Sequence, residues 1–111
     1  MGKRKHRKGT FRVGKGIKPT DKGHAPLVGS PNSNLDTYYK ETGKLHRRRK
    51  FGVDGRAVKD YDAADYHHSH DHAHDFNGTV RGKKSRNLTK QERREFEKAK
   101  RKRRFWNNDK K

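Results

Sequence analysis

The chain has 111 residues, a formal charge of +19, 24% hydrophobic and 41% charged residues, and no cysteine. So small an apolar fraction cannot offset the ordering entropy of every residue, which excludes a large core and implies segments that order only against a partner. The missing thiols exclude a disulfide scaffold and thiolate zinc sites, and no apolar run approaches the ~18 residues of a membrane-crossing helix.

Charge divides the chain into three parts. Residues 1–24 carry nine Lys/Arg against one Asp, residues 25–80 eight against eight, and residues 81–111 fifteen against four. The neutral middle holds most of the apolar side chains. The expected organisation is a flexible basic arm at 1–24, a small β-rich core at 25–80, and a basic linker with a C-terminal helix at 81–111. The function class this favours is binding of a polyanion, RNA or DNA.

The arm opens Met1-Gly2-Lys3-Arg4-Lys5-His6-Arg7-Lys8 and then alternates cations with glycine. No hydrophobic stretch follows, so it does not read as a secretory signal, and no Ser or Thr stands where a myristoylation motif needs one. The expected location is cytoplasmic, in a bacterial or phage-encoded protein, with association with a virion as the alternative. Lys3, Arg4, Lys5, Arg7, Lys8 and Arg12 are the candidate phosphate contacts here. A plain solubility tail is the competing reading.

Ser30-Pro31-Asn32-Ser33 is turn chemistry at the entry to the core. A three-stranded antiparallel meander is expected next, with strands at 35–40, 45–51 and 57–62. Glu41-Thr42-Gly43-Lys44 and Val53-Asp54-Gly55-Arg56 are its turns. Alternation puts Leu35, Thr37 and Tyr39 on one face, and Arg47 and Arg49 on the face of Leu45 and Phe51.

Residues 66–75 then place five histidines in eight positions, flanked by Asp62, Asp65, Asp71 and Asp75. Three chemistries compete. Histidine titrates near ~6.5, so two of them can serve as base and acid near neutral pH. RNA supplies its own 2′-hydroxyl nucleophile, and two His with an Arg suffice to cleave it. In a strand His68, His70, His72 and His74 would share one face, successive ones ~7 Å apart. The second chemistry is metal binding by His-x-His with interleaved Asp. The third is a solvated loop with no chemistry.

Arg81, Lys83, Lys84 and Arg86 make the following segment a basic linker and candidate nucleic-acid contact. Thr89-Lys90-Gln91-Glu92 fits a capping box and opens a helix expected over 89–104, with Glu97 and Arg101 at ion-pair spacing. Arg101, Arg103 and Arg104 extend the basic surface. Phe105 and Trp106 are expected to dock on the sheet.

The stretch from Gly29 to Glu95 resembles the domain called polymorphic toxin type 50, a predicted RNase also found fused behind phage head proteins. Gly29-Ser30-Pro31-Asn32-Ser33 resembles its opening, with Ser30 where the pattern has Lys. Arg48-Arg49-Lys50-Phe51 through Asp54-Gly55-Arg56-Ala57 to Asp60-Tyr61-Asp62 resembles its Arg-rich strand, turn and acidic strand. His72-Ala73-His74-Asp75-Phe76 and Arg86-Asn87-Leu88-Thr89 resemble its His-rich end and last helix. The resemblance implies a fold comparable to the barnase and colicin RNases and metal-free cleavage to a cyclic phosphate.

The expected molecule is therefore an α+β miniature: a small antiparallel meander, a His-rich segment and one C-terminal helix. The expected activity is a toxin-like RNase with His72 and His74 as the acid–base pair and His70 or His68 as substitute. Arg48 and Arg49 would stabilise the phosphate and Ser33 would position it. No cofactor is required, and metal at His70, His72 and His74 would be incidental. The expected partners are RNA or DNA and an acidic inhibitor, with no membrane. Two alternatives stand beside it: a non-enzymatic nucleic-acid-binding protein of phage structure or packaging, and a metal-dependent nuclease.

Overall fold

Short reversals at glycine dictate an antiparallel sheet, and that is how the chain folds. The computed structural model describes residues 10–14, 17–20, 25–65 and 68–101. Its strands are β1 (Thr10–Gly14), β2 (Ile17–Thr20), β3 (Asn34–Tyr39), β4 (Leu45–Phe51), β5 (Ala57–Asp62), β6 (His72–Asn77), β7 (Val80–Arg81) and β8 (Arg86–Asn87). One helix follows, α1 (Lys90–Lys100). The strand order is β2-β1-β3-β4-β5-β6, and both β7 and β8 pair with the free edge of β6. The expected α+β meander with a C-terminal helix is the observed architecture. Among the described residues no helix is long and apolar enough to cross a membrane.

The turn between β4 and β5 shows how sequence sets the reversal. Gly55 has φ 82°, the left-handed region that a side chain disfavours. A Cβ there would also lie 2.6 Å from the Gly29 carbonyl oxygen, because residues 27–29 bond across to this turn.

The helix begins where its capping box requires. The Thr89 hydroxyl accepts from the Glu92 N–H, and the Glu92 carboxylate accepts from the Thr89 N–H. Its apolar side packs Phe96 and Ala99 on one face of the sheet, with Phe11, Tyr38, Leu45, Tyr61, Ala73 and Leu88 completing that core. Phe96 meets Tyr61 edge-on at 5.7 Å between centroids. Burying rings of this size stabilises by about 1.5–3 kcal/mol each. A smaller cluster of Leu35, Phe51 and Ala57, flanked by Ala25 and Phe76, lies apart from it.

Three expectations change in detail. Thr10–Gly14 and Ile17–Thr20, assigned from sequence to the arm, are strands; β1 pairs along all of its length with β3 and buries Phe11. Strict alternation fails at the ends of β4. Register shifts at Thr37/Tyr38 and at Lys50/Phe51 insert an extra residue, and the first turns Leu45 to the helix-side core with Tyr38. Leu45 and Phe51 therefore join different clusters. The helix spans Lys90–Lys100 with Arg101 at its C-cap, and the expected docking of Phe105 and Trp106 lies outside the described residues.

Candidate functional site

Each of three neighbouring strands carries a charged or imidazole pair at i, i+2: Arg47 and Arg49 on β4, Asp60 and Asp62 on β5, His72 and His74 on β6. Spacing of two keeps each pair on one face of its strand. The registers then align them. Leu35, Arg49, Asp60 and His74 form one row across β3 to β6, and Thr37, Arg47, Asp62 and His72 form the next. Directly opposed residues share a face, so these six side chains meet on the side of the sheet away from α1.

The carboxylates tie the lattice together. Asp60 is fully buried and accepts from Arg49 Nε and Nη2 at 2.8 and 2.9 Å and from Arg81 Nε at 2.7 Å. Asp62 accepts from Arg47 Nε at 2.6 Å and from Arg81 Nη2 at 2.7 Å. Burial pushes the Asp62 carboxyl up, but hydrogen bonding and charge from Arg47, then the charge of Arg81, hold it below the ordinary range. Arg49 Nη1 donates to the Ala25 and Pro26 carbonyls and is spent on structure. Arg47 and Arg81 stay about a quarter exposed and form the rim.

The two histidines are fixed in the same way. His72 Nδ1 lies 3.1 Å from the His70 carbonyl, and His74 Nδ1 lies 2.9 Å from the Gly82 carbonyl. A carbonyl only accepts, so both Nδ1 atoms carry the proton, and in each neutral ring Nε2 holds the lone pair. Both Nε2 atoms face Asp62 Oδ2, at 3.7 and 3.8 Å, and the ring centroids are 5.4 Å apart. Burial, then the neighbouring charge of Arg81, lowers the His74 pKa more than the Gly82 bond and Asp62 raise it. His68 stacks on His72 at 4.1 Å.

This trio also has the donor set of a metal site. One ligand atom each from Asp62, His72 and His74 lie within 4.8 Å of one another, and carbonyl-held Nδ1 atoms are the usual support of metal-bound histidine. The guanidiniums of Arg47 and Arg81 on the same carboxylate oppose a divalent cation there. The fit to a metal is therefore poor on electrostatic grounds.

The structure sorts the residues singled out from the sequence. It brings together His72, His74 and Arg49, with His68 against His72. It separates Arg48, whose guanidinium bonds Asp36 and Glu95 on the helix side of the sheet. Ser33 is also elsewhere: its hydroxyl donates to the Ser30 carbonyl at the Phe51 end of β4. His70 precedes β6 and its Nε2 meets Asn87 Oδ1, so it joins neither the acid–base pair nor a metal trio with His72 and His74. Of the linker cations, Arg81 belongs to the site and Arg86 is bound to Asp75 and Glu92, while Lys83 and Lys84 are exposed. Arg12 lies on β1, and Arg101 is the exposed C-cap of α1. Lys3, Arg4, Lys5, Arg7, Lys8, Arg103 and Arg104 lie outside the described residues. Sequence reasoning passed over Arg47, Asp60 and Asp62 as working residues, although their i, i+2 spacing matches that of the histidines.

No protein-family model, no curated protein and no solved structure matches this chain.

Proposed function

We propose that this protein is a metal-independent ribonuclease. The observation that carries the reading is the convergence of the His72 and His74 Nε2 atoms beside Asp62, with both Nδ1–H groups committed to backbone carbonyls. A pair held this way has two proton-transferring nitrogens aimed at one small volume. His74, with its lowered pKa, suits the base and takes the proton of a ribose 2′-hydroxyl. The 2′-oxygen then bonds to the adjacent phosphorus, the bond from phosphorus to the 5′-oxygen breaks, and protonated His72 gives that oxygen its proton. The products are a 2′,3′-cyclic phosphate and a 5′-hydroxyl. Arg81 and Arg47 replace Arg48 in the phosphate role: each bonds the carboxylates through Nε and Nη2, which leaves Nη1 to meet the developing charge.

The test is cleavage of an end-labelled RNA by the purified protein, beside the same RNA with 2′-deoxyribose at the cut site. The expected result is a cyclic phosphate product, loss of cleavage on deoxy substitution, and retained activity in chelator. Undiminished cleavage of the deoxy strand, or rescue by one divalent ion after chelation, refutes the mechanism.

One observation favours a second reading. His72 and His74 are only 3% and 7% exposed, as a structural network would have them. In that reading the lattice is a polar core, and the +19 chain is a non-catalytic nucleic-acid-binding protein. Tight RNA binding without cleavage selects it.

A further inference from the structure

Two of the three acids of α1 are turned to one side. Glu92 and Glu95 point from α1 to the sheet, where Glu92 binds Lys59 and Arg86 and Glu95 binds Arg48 and Lys50. The sheet cations are thereby neutralised from within. The opposite side of α1 carries Lys90, Arg93, Arg94, Lys98 and Arg101, all exposed, against a single acid, Glu97. At ~100° per residue these six positions fall within an arc of roughly 140°. Lys90, Arg94 and Lys98 follow one another at i, i+4, about 6 Å apart along the axis. Among the described residues none of the five cations has an ion-pair partner.

We propose that this outer face of α1 is a docking ridge for the phosphate backbone of single-stranded RNA, holding a stretch of the polymer away from the cleavage centre. Charge complementarity selects this partner. A helix whose acids are all but one turned inward has a solvent face of net +4, which attracts a chain of regularly spaced anions and gains affinity by releasing their counterions. The face offers no apolar anchor of the kind a protein partner would fill. The proposal takes the identity of the polymer from the ribonuclease reading, but its binding test needs no turnover.

The experiment is an anisotropy titration of a fluorescein-labelled 20-nucleotide RNA against the full chain carrying His72→Ala, at a series of salt concentrations. Adding Arg94→Gln and Lys98→Gln should weaken binding and lower the log–log salt slope by about 1.4, or ~0.7 for each lost phosphate contact. Adding Lys44→Gln and Arg56→Gln, exposed cations on the hairpin turns, should leave the slope in place. An unchanged slope for the helix pair overturns the proposal. An equal fall for the turn pair also overturns it, since binding would then follow net charge. Competition by poly-glutamate as strong as by unlabelled RNA overturns it in favour of an acidic protein. If the ribonuclease reading holds, the helix variants with intact His72 should cleave a dinucleotide at the wild-type rate and long RNA with a raised KM. Failure of cleavage alone leaves the binding result standing.

Discussion

Asp60→Asn isolates the electrostatics of the lattice, because the side chain keeps its size and shape. In the folded protein the Asp60 carboxylate is 0% exposed and is the charge partner of Arg49, whose side chain is 6% exposed. An amide keeps one acceptor oxygen but turns N–H groups toward a guanidinium donor, and it leaves Arg49 charged and buried without a counterion, held by that oxygen and the Ala25 and Pro26 carbonyls. Arg81 suffers less, since it is 29% exposed and keeps Asp62. Removing one partner of a buried pair costs about 3–5 kcal/mol. Against a total of ~5–15 kcal/mol for a domain this is severe. With a urea dependence of ~1–2 kcal/mol per molar, the midpoint should fall by roughly 1.5–5 M. The assay is urea unfolding followed by far-ultraviolet circular dichroism, with Asp54→Asn as control. Asp54 and Arg56 are 62% and 64% exposed and 3.8 Å apart, so that change should cost under ~0.5 kcal/mol. If Asp60→Asn proves as mild as Asp54→Asn, the carboxylate does not hold the lattice together.

Acid should destabilise the fold through its depressed carboxyls, Asp62, Asp75, Glu92 and Glu95. Hydrogen bonding from Arg86, aided by Lys59 against the effect of burial, holds Glu92 far below its ordinary range, and Asp62 is lowered as well. Groups depressed in the folded state contribute stability above their unfolded values of ~4, lost as pH falls through the folded ones. The urea midpoint should therefore drop between about pH 4 and pH 2, and Glu92→Gln, already weaker at pH 7, should drop less. Thr89→Ala removes the hydroxyl half of the capping box and should cost about 1 kcal/mol in the same assay. Gly55→Ala forces a side chain into a left-handed backbone and against the Gly29 carbonyl, so it should cost more than ~1 kcal/mol. If cleavage is found, His72→Ala and His74→Ala should each lose about 10²–10⁴ in rate, and the double variant little more.

The elements of the central sheet were legible because turn chemistry brackets them: Gly43 and Gly55 both have positive φ where the sequence reading put the reversals. The helix was legible from Thr89 and Glu92. Strand β1 was not, because Phe11 and Val13 are isolated among cations and only pairing with β3 reveals their burial. Half the site could be read. His72 and His74 share a face by spacing alone, but whether Arg48 or Arg47 meets them depends on which face of β4 turns toward β6, and single-strand alternation does not decide that between strands. Matching the i, i+2 pairs of all three strands would have selected Arg47 over Arg48 and found Asp60 and Asp62. Because β6 starts at His72, His70 falls out of the row to meet Asn87, and His68 reaches the site only by stacking on His72.

The rows that assemble the site make it intolerant of one kind of change and indifferent to another. A single inserted or deleted residue inside β5 would reverse its faces beyond that point, sending Asp60 or Asp62 toward Tyr61's side and leaving the guanidiniums of β4 without counterions. The residues between them face the other way, Tyr61 and Ala73 buried in the helix-side core, so substitutions there act on that core and not on the lattice. The segment from Ala63 to Asp71 sits outside the rows, and its length can drift so long as His72 still arrives opposite Asp62. In descendants of this chain, length variation should therefore collect in that segment, while the three strands around the site keep their residue count even where their composition wanders.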